Sequence, residues 1–158
     1  MDLSKSILAV AKSELKANAR EVGGNNRGPF VAKYLEPSGL KPPQPWCAAF
    51  ASWCLLRATA KHQLPPLPYF VSAREMFNWA KASGYLLDSP VPGSLVFFSR
   101  GGLFSWKGHC GIASSVTKNR LIVIEGNRSS RVQAFGYDIA HIRNLLGFAG
   151  IISQENGI

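Results

Sequence analysis

The thiols and imidazoles that could do nucleophilic and acid–base chemistry are few: three cysteines, Cys47, Cys54 and Cys110, and three histidines, His62, His109 and His141. A cysteine attacks as its thiolate, so it needs surroundings that lower its pKa and a base within hydrogen-bond reach. Cys47 sits at the start of residues 46–61, a run of helix formers with no breaker, which puts it in the first turn of a predicted helix. Unpaired N–H groups and the helix dipole favour negative charge there, and the same N–H groups can help hold an oxyanion. The bland alternative is a cysteine buried as a small hydrophobe, and Cys54, mid-helix between Trp53 and Leu55, is assigned to it. On one helix Cys47 and Cys54 would lie about 10 Å apart along the axis, too far to bridge. No C-x-x-C pair occurs, which argues against a structural zinc site.

Among the histidines, His62 lies in a proline-rich stretch and His141 in a polar one, whereas Gly108-His109-Cys110-Gly111 opens a predicted strand with small neighbours that leave room for a substrate. His109 is the candidate base, against the alternative of a hydrogen-bonded core histidine. A third group must orient it. Glu125 and Asn127, two apart on the next predicted strand, share a face, and a hairpin turning near Lys118-Asn119 brings both to within a residue or two of His109. Either could brace the imidazole. A carboxylate at the end of Leu121-Ile122-Val123-Ile124 is costly without a partner; the alternative is a strand-end Glu in solvent beside a Gly126-Asn127 turn.

The elements that must position these groups follow from periodicity. Apolar residues at Ile7, Leu8, Ala11 and Leu15 predict an amphipathic first helix, capped by Ser4 or Asp2 and running to about Arg20. A glycine-rich loop at 23–29, a short helix over 31–35 and an extended proline segment at 41–45 lead into the Cys47 helix. Ser72 caps a further helix to Gly84, after which residues 94–99, 109–113, 121–125 and 147–152 read as strands. Helices first and strands second predict an α+β fold, N-terminal helices packed on a C-terminal antiparallel sheet of four or more strands, in one domain over residues 1–158.

With 158 residues, 46% hydrophobic and 17% charged, the chain has the composition of a folded domain that needs neither disulfides nor metal for stability. A net charge of +9 implies an anionic partner: nucleic acid, an acidic lipid surface or bacterial cell wall. The basic residues are scattered singly, which weakens the first two. No apolar run is long enough to span a membrane, and the opening residues do not read as a secretory leader.

Gln44-Pro45-Trp46-Cys47-Ala48-Ala49-Phe50-Ala51-Ser52-Trp53-Cys54, Pro92-Gly93-Ser94-Leu95-Val96-Phe97-Phe98, Gly108-His109-Cys110-Gly111-Ile112 and Ile124-Glu125-Gly126-Asn127, in that order, resemble the CHAP family. These are the cysteine- and histidine-dependent amidohydrolases/peptidases of the NlpC/P60 superfamily. The resemblance covers roughly residues 21–152 and includes Glu21 and the Asn25-Asn26-Arg27-Gly28 entry segment. It implies a papain-like fold, Cys47 as nucleophile, His109 as base and then acid, Glu125 orienting the ring, Asn127 as an accessory polar group, and Gln44 at the oxyanion hole. Cys110 departs from the small aliphatic residue usual there. The aspartate-rich calcium loop of some members is absent from the sequence, so neither metal nor cofactor is expected.

The resemblance further implies a peptidoglycan substrate, acted on in the periplasm or cell wall after lysis or secretion-system delivery, as a phage lysin or an interbacterial toxin. In the second case an immunity inhibitor protein is an expected partner. Trp46 and Trp106 are candidate substrate contacts, Trp53, Trp79, Phe104 and Tyr69 could also line a groove although most of the six are expected to be core, and the 100–107 loop is the choice for a substrate gate. A monomer acting without nucleic acid or membrane is expected. The rivals are an amidase acting on a non-wall amide and a catalytically silent wall-binding or structural module.

Overall fold

The computed structural model describes residues 1–102 and 104–153. Four helices come first: α1 (Ser4–Lys16), α2 (Pro29–Leu35), α3 (Cys47–Lys61) and α4 (Ala73–Ala82). Six strands follow: β1 (Leu86–Leu87), β2 (Leu95–Ser99), β3 (Gly108–Val116), β4 (Arg120–Arg128), β5 (Arg131–Asp138) and β6 (Leu145–Ala149). The strands form one antiparallel sheet in the order β1-β6-β2-β3-β4-β5, so the fold is α+β as the sequence predicts.

The helices cover one face of the sheet. Cys110, Ile112, Ile124 and Val132 pack there with Phe50, Leu55, Ile7 and Met76. The other face carries a second apolar layer of Val96, Phe98, Ala113, Leu121 and Val123, flanked by Tyr137, Ile139 and Ile142. Every small residue of α3 from Ala48 to Ala51 is buried, which lets this helix lie close against β3 and β4. Gly126 marks the tightest approach: a Cβ there would come within 2.8 Å of Phe50 Cβ.

Local chemistry sets several boundaries. Ser72 accepts from the Glu75 N–H at 3.2 Å and caps α4 as expected. The β3–β4 hairpin closes between Thr117 and Arg120, at the predicted turn. By contrast, α1 ends at Lys16 rather than near Arg20. Asn18 adopts a left-handed φ of 56°, and the backbone beyond it is drawn to β5, where Val132 N–H donates to Ala19 C=O at 2.9 Å. The final strand stops at Ala149 rather than residue 152, and β1 and β5 add two strands that periodicity did not predict.

Candidate active site

Cys47 is the first residue of α3, where a newly begun helix has N–H groups without intrahelical partners. On β3, His109 lies directly opposite Phe98 of β2 and shares its face of the sheet, with ring centroids 6.0 Å apart. Gly111 lies opposite Glu125 of β4, so His109 and Glu125 are diagonal neighbours, within reach of long side chains. The space between them exists because residue 111 has no side chain. A Cβ on Gly111 would meet Glu125 Cγ at 2.8 Å and Val123 Cγ1 at 2.5 Å.

The β3–β4 ladder stops at Gly111–Glu125, because β4 bulges between Glu125 and Arg128. Ala113 uses its N–H and C=O toward the β2 side, so by alternation the Cys110 N–H faces β4, where that partner strand has turned away. The Cys47 sulfur meets this parting: it accepts from the Cys110 N–H and thiol and contacts the His109 ring. The Cys110 hydrogen bond is the strongest influence on Cys47. Together with His109 it outweighs burial and holds the Cys47 thiol well below its ordinary pKa. Cys110, as donor beside a thiolate, is held well above its own.

His109 and Glu125 are both buried, and Glu125 Oε1 lies 2.7 Å from His109 Nε2. That leaves Nδ1 as the ring nitrogen for the thiol. Burial works to lower the His109 pKa, but Cys47 first and Glu125 second outweigh it and raise it to about 9. Glu125 is fully buried, yet its pKa is lowered: against burial stand His109, the Tyr137 hydroxyl and Arg128. Tyr137 donates to Oε2 at 2.6 Å, and Arg128 Nη1 donates to Oε1 at 3.0 Å and to the Tyr137 oxygen at 3.0 Å. An imidazole held between a depressed thiol and a braced carboxylate can shuttle a proton at a carbonyl attacked by sulfur.

A cleft of about 530 Å³ opens onto Cys47, with Gln44, Pro45, Ala73, Arg100, Trp106 and Lys107 in its walls. A family model for the CHAP domain matches residues 39–127, more than half of the chain. The chain belongs to the CHAP family. CHAP domains are typically hydrolases of peptidoglycan, which gives the coarse activity class. No curated protein and no solved structure matches the chain.

The structure brings together Cys47, His109 and Glu125, and sets Gln44 and Trp106 at the cleft. Two expected contacts are not formed. Asn127 lies in the β4 bulge with φ 54°, and among the described residues no hydrogen bond joins it to His109; the bulge ends the alternation that would have aimed it at the ring. Trp46 is fully buried, stacked on Tyr34 at 5.7 Å, and its indole N–H donates to Glu21 at 3.0 Å, so it packs in the core instead of lining the cleft. Cys54 is buried and its pKa raised by burial, as a packed thiol should be. In the 100–107 loop, Leu103 lies outside the described residues. Among the described residues no group of three or more His, Cys, Asp or Glu could hold a metal, and no helix is long and apolar enough to cross a membrane.

Tyr137 and Arg128 are partners of Glu125 that sequence reasoning missed, and Cys110, noted there only as a departure, acts on Cys47. Tyr137 and Arg128 had one available signal: a fully buried Glu125 has four acceptor positions to fill, and His109 fills one.

Proposed function

We propose that the chain is a peptidoglycan hydrolase, an N-acetylmuramoyl-L-alanine amidase or stem-peptide endopeptidase, working through Cys47, His109 and Glu125. One observation carries the reading: a buried imidazole bonded at Nε2 to Glu125 at 2.7 Å contacts a helix-start thiol that opens into a cleft. The Cys47 thiolate attacks the amide carbonyl carbon, and the oxyanion is met by N–H groups at the start of α3, with Gln44 at the same rim. His109 Nδ1–H then protonates the leaving nitrogen as the C–N bond breaks, which leaves a thioester. His109, now neutral, takes a proton from water; the hydroxide attacks, and the acid departs from the regenerated thiolate. Glu125 keeps the proton-bearing ring in register, and Tyr137 with Arg128 fixes Glu125.

In this reading residues 1–158 are one catalytic domain and act as a monomer, as a phage lysin or as an interbacterial effector with a cognate inhibitor. A charge of +9 supports retention on the anionic wall. Digestion of purified sacculi, with mass spectrometry of the fragments, tests it. Release of muropeptide fragments by the wild type, abolished in Cys47→Ala, is the expected result. Intact sacculi after wild-type treatment overturns it in favour of a non-wall amide or a silent module, and equal release by Cys47→Ala overturns the role given to Cys47.

A further inference from the structure

Beside the Cys47 cleft lies a second hollow of about 550 Å³, walled by Ser72, Arg74, Glu75, Asn78, Phe104, Ser105 and Trp106. Ser72 and Trp106 belong to the walls of both, so the two form one continuous groove. Their chemistry differs. The inner cleft presents Arg100 and Lys107 beside the thiol. The outer hollow presents a guanidinium, a carboxylate and a carboxamide on α4 and the Ser72 hydroxyl at its cap, facing Ser105 and two aromatic rings on the β2–β3 loop.

Phe104 is 98% exposed and Trp106 78%, the two most exposed large apolar side chains among the described residues. Two aromatics so close in sequence, both turned to water beside a candidate catalytic cleft, mark a surface built to be covered. The loop that carries them is held in shape. Arg74 Nη2 donates to the carbonyls of Gly102 and Lys107 at 3.2 Å each, and Lys107 N–H donates to Ser105 Oγ at 3.1 Å. A ligand therefore meets a loop backbone already in place, with less ordering cost on binding.

Apolar rings opposed to a carboxamide, a carboxylate and hydroxyls suit a ligand that is apolar on its faces and polar at its edges, which describes a pyranose sugar. Arg74 and Glu75 bring one charge of each sign to the outer hollow, which therefore has no net preference for an anion, while Arg100 and Lys107 favour one in the inner cleft. We propose that the outer hollow is a saccharide subsite that takes an N-acetylated hexosamine of the glycan strand, while the inner cleft takes the carboxylate-bearing stem peptide. This rests on the hydrolase reading and adds a direction to it: glycan over Trp106 and Phe104, peptide across Cys47.

Two measurements test the subsite. The first compares kcat/KM on a disaccharide-bearing muropeptide with that on the same stem peptide capped by a lactoyl group in place of the sugar, which keeps the lactoyl–L-alanine amide. The wild type should prefer the former, and Phe104→Ala and Trp106→Ala should each cut that preference roughly tenfold. Absence of a wild-type preference, or equal losses on both substrates, overturns the subsite. The second titrates the Cys47→Ala protein with an N-acetylglucosamine oligomer and follows tryptophan fluorescence. A saturable change that disappears when Trp106→Ala is added is expected, and no change, or one that survives Trp106→Ala, refutes the proposal. If the wild type cuts neither substrate, the hydrolase reading has failed, and the titration alone decides the saccharide site.

Discussion

Replacing Glu125 by glutamine keeps the shape of the side chain and removes its charge. Three donors converge on this carboxylate: His109 and Arg128 on Oε1, Tyr137 on Oε2. An amide has one acceptor oxygen, and the arrangement costing least puts it where Oε1 was, because the Tyr137 hydroxyl can rotate to accept from the amide NH2 whereas the other two groups only donate. His109 then keeps its Nε2 proton but loses the anion that stabilised its charged form. An opposite charge in hydrogen-bond contact is worth about 1–3 pKa units, so the His109 pKa should fall from about 9 by about one unit or more. It should stay above the ordinary 6.5, since the Cys47 thiolate is the larger of the two influences. The sign follows: the reactive pair exists between the depressed Cys47 pKa and that of His109, so the alkaline limb of kcat/KM moves to lower pH. Each unit is about 1.4 kcal/mol, and a transition state with a charged imidazole should lose roughly ten- to a hundredfold in kcat/KM. The assay is a pH profile of kcat/KM on a soluble muropeptide, with circular dichroism to verify the fold. A folded Glu125→Gln protein whose alkaline limb coincides with that of the wild type would refute the role given to this carboxylate.

Tyr137→Phe removes one charge-assisted hydrogen bond to a buried carboxylate, worth about 1.5–3 kcal/mol, and should lower both the denaturant midpoint and kcat/KM while leaving substrate specificity unchanged. Cys110→Ala deletes the donor that most depresses the Cys47 pKa, so alkylation of Cys47 by iodoacetamide should need higher pH; Cys110→Ser, which can still donate, should stay near the wild-type profile. Gly111→Ala forces a Cβ to 2.5 Å from Val123 Cγ1 and 2.8 Å from Glu125 Cγ, and should cost roughly 1–3 kcal/mol in urea unfolding together with most of the activity.

What the chain revealed in advance is what local rules govern. The Cys47 helix was legible because a long run of helix formers begins sharply after prolines, and the Ser72 cap because a serine precedes a helical pattern by one residue. The pairing of His109 with Glu125 was legible because a short hairpin fixes register. The place of Asn127 was not legible because a bulge leaves no mark in a pattern that assumes strict alternation, and the Gly126-Asn127 pair looked like a turn as readily as a kinked strand. Strand β5 escaped because it buries only Val132 fully, so its apolar signal is weak. Tyr137 and Arg128 were hidden with it. Trp46 was misplaced because its partner Glu21 is 25 residues away, a distance over which local pattern says nothing.

Sulfur and imidazole are rooted in α3 and β3, which pack through the centre of the molecule, whereas Phe104 and Trp106 hang from a surface hairpin pinned by two hydrogen bonds from Arg74. Mutational drift is expensive in the first setting and cheap in the second. On the proposed reading, descendants of this chain can change what they grip by exchanging residues in one surface hairpin, with the Cys47–His109 pair inherited whole.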